Sequence, residues 1–194
     1  MYYIAGLGNP GEKYKLSRHS TGRTIVGDFC KKNEMEDYEF NKKINALTTE
    51  RKMGKEKIMC ILPETFMNKS GLSLKPIITS EKKAGNLIVV HDDLDIPLGK
   101  FKISFGKNSG GHRGVESVIK NIKTKDFIRI RVGISPTTPF GKLKKPDAKK
   151  IIDHILGNFK PKELNILKKV SKKITSAIEI IIKEGLQKAM NLYN

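Results

Sequence analysis

Leu87-Ile88-Val89-Val90-His91-Asp92-Asp93 is the stretch that decides the fold. An unbroken apolar run, mostly β-branched, gives way to three polar residues, and a strand covered by helices on both faces reads this way because neither side meets water. The strand is expected to end at His91-Asp92-Asp93. Functional side chains are then expected just past it, at the carboxyl edge where α/β proteins build their sites.

Working outward, Tyr2 to Leu7 reads as a second buried strand, closed by the turn Gly8-Asn9-Pro10-Gly11. Thr21 is placed to cap a helix whose apolar face includes Ile25, Val26 and Phe29. Ile44 to Leu62 reads as two strands around Met53-Gly54-Lys55, and Thr65 to about Ala84 as helical at both ends with a break at Pro76. Lys100 to Phe105 alternates, which puts Lys100 and Lys102 on a face opposite Phe101 and Ile103. Gly110-Gly111 leads into a helix over Arg113 to Ile122, and strand Phe127 to Ile134 sets Arg129 and Arg131 on one face. Ser135 to Lys150 carries three prolines and five lysines, the composition of a mobile basic loop that could serve as a substrate lid. From about Pro161 to Leu192, Leu164, Leu167, Val170, Ile174 and Ile178 recur at helical spacing, so one long amphipathic helix is expected to dock on the sheet. The alternation of strands and helices predicts an α/β architecture with a mixed sheet. At 194 residues, without an internal repeat or a second core, residues 1–194 are expected to form a single domain.

Composition narrows the function. Lysine and arginine total 38 against 20 acidic residues, a net charge of +18. Such a charge attracts a phosphate backbone and makes nucleic acid the natural partner, although only six of the basic residues are arginine and lysines also serve simply to solvate a surface. No apolar run approaches the ~20 residues of a membrane span, and the N-terminus lacks the pattern of a signal peptide. A cytoplasmic location is expected. Cys30 and Cys60 have neither metal-ligand spacing nor the density of a disulfide framework, and no chemistry is assigned to them.

Gly6-Leu7-Gly8-Asn9-Pro10-Gly11 spells the dinucleotide fingerprint G-x-G-x-x-G, with Asp28 near the offset of a ribose ligand. The helix that should open over a pyrophosphate is missing, since Glu12 to Ser20 has no apolar stripe, so a plain glycine turn is the better reading. His19 lies in the polar loop Ser17-Arg18-His19-Ser20. A lone loop histidine is more often inert, but Asp92 is predicted in the same layer, and a carboxylate bound to one imidazole nitrogen makes the other a better base. No G-x-S-x-G elbow is present, which favours direct attack by water over a covalent intermediate. Asp92, Asp93 and Asp95 offer hard oxygens to Mg²⁺, yet adjacent strand residues point apart, so no metal is assigned. In Pro63-Glu64-Thr65-Phe66-Met67-Asn68-Lys69-Ser70-Gly71, Asn68 is a candidate donor to a carbonyl or oxyanion, while Phe66 and Met67 either wall off water or simply enter the core. Gly110-Gly111-His112-Arg113-Gly114 can present backbone N–H groups to an anion, or can be an ordinary helix entry.

Together, GLGNPGEKY with Tyr14, SRHSTG, PETFMNKSG, IVVHDDLDIPLGK, SGGHRG and FIRIRVGI resemble the bacterial-type peptidyl-tRNA hydrolase family across roughly the first two thirds of the chain. The resemblance implies a single α/β globule with a twisted mixed sheet flanked by helices, a monomer without metal or cofactor. It implies cleavage of the ester between a peptide and the 3′-terminal ribose of tRNA, with His19 as general base and Asp92 as its orienting partner. Asn9 and Asn68 would position the substrate and stabilise the reacting carbonyl. Tyr14, Met67 and His112 would line the cleft, with Phe66 beside them as a further substrate contact, and Lys102 and Arg131 would grip tRNA phosphate. Two positions depart from the pattern: His112-Arg113-Gly114 stands where HNG is usual, and Arg18-His19-Ser20 where RHN is usual. Arg113 is accordingly expected to bind RNA backbone rather than to replace an amide. The alternatives are a non-catalytic RNA-binding relative on the same fold and, from the glycine fingerprint, a nucleotide-dependent oxidoreductase.

Overall fold

In a computed structural model describing residues 1–194, the run at Leu87 becomes an interior strand, next to the central β1, of a seven-stranded mixed sheet of order β2-β3-β4-β1-β5-β7-β6. The strands are β1 (Tyr2–Gly6), β2 (Glu39–Asn41), β3 (Ala46–Met53), β4 (Glu56–Pro63), β5 (Leu87–Pro97), β6 (Phe101–Phe105) and β7 (Ile128–Ser135). β5 lies parallel to β1 on one side and to β7 on the other, while β2, β3 and β6 run antiparallel to their neighbours. The helices are α1 (Thr21–Lys32), α2 (Ser70–Leu74), α3 (Glu81–Gly85), α4 (Arg113–Ile122), α5 (Ile151–Leu156), α6 (Pro161–Glu184) and α7 (Leu186–Tyr193).

Because side chains alternate along a strand, β5 feeds two apolar layers. Ile88 and Val90 pack with Ile25 and Phe29 of α1 and with Ile174, Ile178 and Ile181 of α6. Leu87 and Val89 face the other way, toward Leu74 of α2 and Val115 and Val118 of α4. Each fully buried isoleucine or phenylalanine contributes roughly 1.5–3 kcal/mol of apolar transfer, so the sheet is clamped from both sides. No helix is long and apolar enough to cross a membrane.

Gly6 of the fingerprint acts in packing, together with Gly22 of α1. A Cβ on Gly22 would lie 2.2 Å from the Val90 carbonyl oxygen and 2.6 Å from the Leu7 nitrogen, and one on Gly6 would meet the Gly22 carbonyl at 2.6 Å. Only bare backbone lets the start of α1 rest on the ends of β1 and β5. Only a three-residue 3-10 turn, Glu12–Tyr14, follows Gly11 before the chain turns away, and Asp28 accepts from Ser171 Oγ of α6 at 2.6 Å instead of facing a ligand site.

Several elements differ from expectation. β5 does not stop at His91 but continues through Asp92 and Asp93 to Pro97, with a register irregularity between Asp93 and Pro97, because β7 goes on offering it partners. Thr21 is the first residue of α1 rather than its cap, and its hydroxyl donates back to the Arg18 carbonyl at 2.7 Å. Lys100 precedes β6, and helix begins beyond Thr65 with a 3-10 turn at Met67–Lys69. The expected single C-terminal helix is two: Gly185, at φ 93, breaks it, and its N–H caps the carbonyls of Ile180 and Ile181. β2 and α5 have no counterpart in the sequence reading, being too short for a periodicity to register.

Candidate active site

Asp92 sits on the last regular turn of β5's pleat and is 2% exposed. Its carboxylate receives two imidazoles. His19 Nδ1 lies 2.9 Å from Oδ2 and 3.0 Å from Oδ1, and His112 Nε2 lies 3.1 Å from Oδ1. Both histidines come from helix approaches. A 3-10 turn, Arg18–Ser20, delivers His19 just before α1, and His112 caps α4, its Nδ1 accepting the N–H groups of Gly114 at 3.2 Å and Val115 at 3.3 Å.

These bonds set the protons. A ring nitrogen that accepts two N–H groups bears none of its own, so the proton of His112 is on Nε2 and is donated to Asp92. His19 likewise donates Nδ1–H to Asp92, which leaves its Nε2 lone pair free. Burial pushes the Asp92 carboxyl up, but the two histidines outweigh this and hold it well below the usual carboxylate range. Burial disfavours the charged form of His19, yet the adjacent Asp92 carboxylate raises it on balance above the ordinary imidazole value, with Arg113 pulling the other way.

Behind this pair, His91 is fully buried and donates Nδ1–H to the Asp92 carbonyl at 2.7 Å. Its ring meets that of His112 edge-on at 4.7 Å, and burial together with its neighbour His112 keeps it well below the ordinary range and so neutral. The sequence assigned His91 no role; its place against His112 was hidden by the loop between them.

The carboxylate and its histidines lie in the wall of a cleft of ≈ 890 Å³. Asn9, Met67, Asn68 and Arg113 line it, with Phe66 59% exposed at its mouth. Asn9 Oδ1 accepts the Met67 N–H at 2.9 Å, which turns its Nδ2 donors toward the cleft. The apolar lining of the cleft is built from Leu94 and from Ile151, Ile152, Ile155 and Leu156 of α5, which sequence reasoning missed. Lys145 and Pro146 of the basic loop complete the rim, and Lys145 pairs with Asp95.

Arg18 fixes that wall. Its buried guanidinium bonds Glu163 Oε2 at 2.7 Å and donates to the carbonyls of Gly157 at 3.2 Å and Asn158 at 3.1 Å, tying the end of α5 to the turn that bears His19. Tyr14 lies in a 3-10 turn, Glu12–Tyr14, and is not among the residues lining the cleft. Lys102 and Arg131 also stand apart from it, paired across β6 and β7, with Arg131 Nε donating to Asp93 Oδ2 at 2.7 Å. Of the residues proposed from sequence, the fold therefore brings His19, Asp92, Asn9, Phe66, Met67, Asn68, His112 and Arg113 around one cavity.

His19, Asp92 and His112 place possible metal-ligand atoms within 4.8 Å of one another. They fit an ion poorly. To ligate, His112 would have to give up its Nε2 proton while Nδ1 still faces two N–H donors, which requires an imidazolate.

Fold and cleft together define the class: an α/β enzyme with its site at the carboxyl edge of a mixed sheet. Within that class the chain belongs to the peptidyl-tRNA hydrolase family, whose model matches residues 3–194. It is 40% identical over 201 residues to a peptidyl-tRNA hydrolase of Thermodesulfovibrio yellowstonii, covering 100% of this chain and 99% of the relative. A peptidyl-tRNA hydrolase of Dehalococcoides mccartyi is 37% identical over 200 residues, with 100% of both chains covered. The crystal structure of peptidyl-tRNA hydrolase from Acinetobacter baumannii superimposes with a TM-score of 0.88 at 26% identity, covering 100% of this chain and 94% of that one.

Proposed function

We propose that this chain, as one domain over residues 1–194, hydrolyses the ester between a peptide and the terminal ribose of tRNA, with His19 as general base. The observation that carries the reading is the committed Nδ1 of His19, bound to a buried carboxylate, beside an uncommitted Nε2 in an amide-lined cleft.

Nε2 takes a proton from water as the water oxygen attacks the ester carbonyl carbon. Asp92 stabilises the imidazolium that results, a role general bases fill for about 10²–10⁴-fold in rate. The Nδ2 donors of Asn9 and Asn68 are available to the developing oxyanion. Collapse of the tetrahedral intermediate breaks the bond to the ribose oxygen, which receives the proton back from His19, and the peptide leaves as a carboxylic acid that ionises. A protein nucleophile is disfavoured: no cysteine lines the cleft, and its serine, Ser109, donates to Glu116 at 3.2 Å. The poor fit of His112 to an ion supports a reaction without metal. Lys102 and Arg131 are assigned to tRNA phosphate, because Arg131 uses only Nε on Asp93 and keeps its Nη groups. Tyr14 is kept as a flanking contact for the substrate. All of the proposed catalytic groups come from one chain, consistent with a monomer.

The test is hydrolysis of purified peptidyl-tRNA, with and without EDTA. Cleavage that survives the chelator supports the reading. Activity abolished by EDTA and restored by Mg²⁺ would reassign the aspartates as metal ligands, and tight tRNA binding without cleavage would make the chain a binding protein.

A further inference from the structure

Beyond Asn68 and Arg113 the cleft opens into a second concavity of ≈ 330 Å³, lined by Asn68, Arg113, Glu116, Ser117 and Lys120. Four of the five lie at one-turn spacings along α4, so they share a face of that helix. Glu116 is engaged by the Ser109 hydroxyl, and Ser117 Oγ accepts the Gly71 N–H at 3.0 Å. Arg113, Lys120 and Asn68 are exposed and their side chains enter no hydrogen bond or ion pair within the chain. Their donors are unspent. The apolar lining of the cleft, by contrast, is the surface of Leu94 and α5.

The cleft thus has two chemically distinct parts, a cationic concavity joined to it at Asn68 and Arg113 and an apolar lining at Leu94 and α5, and the scissile ester has two arms, a peptide and a nucleotide. We propose that Arg113 and Lys120 form a phosphate subsite for the internucleotide phosphate on the 5′ side of the terminal nucleoside, leaving Asn68 to the reacting carbonyl and the α5 wall to the peptide. This rests on the hydrolase reading above and adds to it a direction for the bound substrate and a residue, Lys120, with no part in the catalytic pair. Arginine's planar fork suits two phosphate oxygens, and lysine adds a point charge.

The experiment compares peptidyl esters of adenosine and of the dinucleotide CpA, which differ by one phosphate linkage and one nucleoside, using the whole protein. The wild type is expected to prefer the CpA ester by about tenfold in kcat/KM, the effect of one charge-assisted contact. Lys120→Gln is expected to remove most of that preference, Lys120→Arg to keep it, and Arg113→Asn to raise KM for the CpA ester and for peptidyl-tRNA more than for the adenosine ester. Equal kcat/KM on both esters, or a preference indifferent to Lys120→Gln, would overturn the subsite while leaving the hydrolase reading intact. If Lys120→Gln instead depressed cleavage of an adenosine ester bearing an aspartate-rich peptide, the cations would face the acyl arm and the proposed direction would be wrong. Failure of the wild type on both esters and on peptidyl-tRNA would sink the hydrolase reading itself, and the subsite with it.

Discussion

Asp92 and Asp93 are neighbours on one strand and do unlike things. Asp92 turns into the cleft wall, is 2% exposed and holds two histidines. Asp93 also borders the cleft, but its carboxylate is taken by Arg131 of β7, across from Lys102 of β6. The difference is a matter of what covers each side chain. Where α1 and α4 both begin over the end of β5, a carboxylate is desolvated and must be paired with groups that can share protons. At the β7–β6 edge Lys102 is exposed and the ion pair is only half sheltered, so charge there remains available to a partner in solution. In the proposed reading, proton transfer falls to Asp92 with its histidines, and phosphate binding to the Lys102 and Arg131 edge beside Asp93.

The comparison breaks most visibly at Asp92. Asp92→Asn is expected to lower kcat by on the order of hundredfold or more, because the amide cannot stabilise imidazolium and favours the wrong tautomer of His19. Stopped single-turnover assays measure it, and a loss confined to KM would mean that Asp92 only shapes the cleft. Next in size, Lys102→Ala or Arg131→Ala should raise KM about tenfold with kcat nearly unchanged, and reduce the slope of log binding against log salt by about one. Unchanged slopes in both variants would reduce the basic edge to a solvated surface.

The pH profile sharpens the same contrast. A general base must be unprotonated, so the rate should fall as pH drops through the raised titration of His19. Removing the Asp92 charge should move that acid limb to lower pH, and removing Arg113, whose charge opposes protonation, should move it up. A limb that ignores both changes belongs to another group. The smallest effect is assigned to Asp93→Asn: loss of a partly exposed ion pair is worth about 0–1 kcal/mol, so stability and kcat should barely change, and a collapse of kcat would show the two aspartates to be one unit.

Much of this was legible in the residues. Leu87 to Val90 announced an interior strand, and His19, Asp92, Asn9 and Asn68 were named as partners although 73 residues separate His19 from Asp92. What stayed hidden had physical causes. α5 spans only six residues, Ile151–Leu156, and shows no helical period, so the apolar wall of the cleft did not register. Arg18 looked like one more basic residue until its guanidinium was seen capping α5, and His91 like the end of an apolar run. Gly185 carried the signal that ends a helix, but apolar residues resume their spacing beyond it and masked the break.

The central claim is that His19 moves a proton and does not hold the substrate. The direct measurement is single-turnover cleavage of peptidyl-tRNA by His19→Ala beside the wild type, with tRNA affinity measured on the same preparations. The account predicts a fall of about 10²–10⁴-fold in the cleavage rate with affinity within a few-fold of the wild type; near-normal cleavage, or a loss explained by affinity alone, would contradict it.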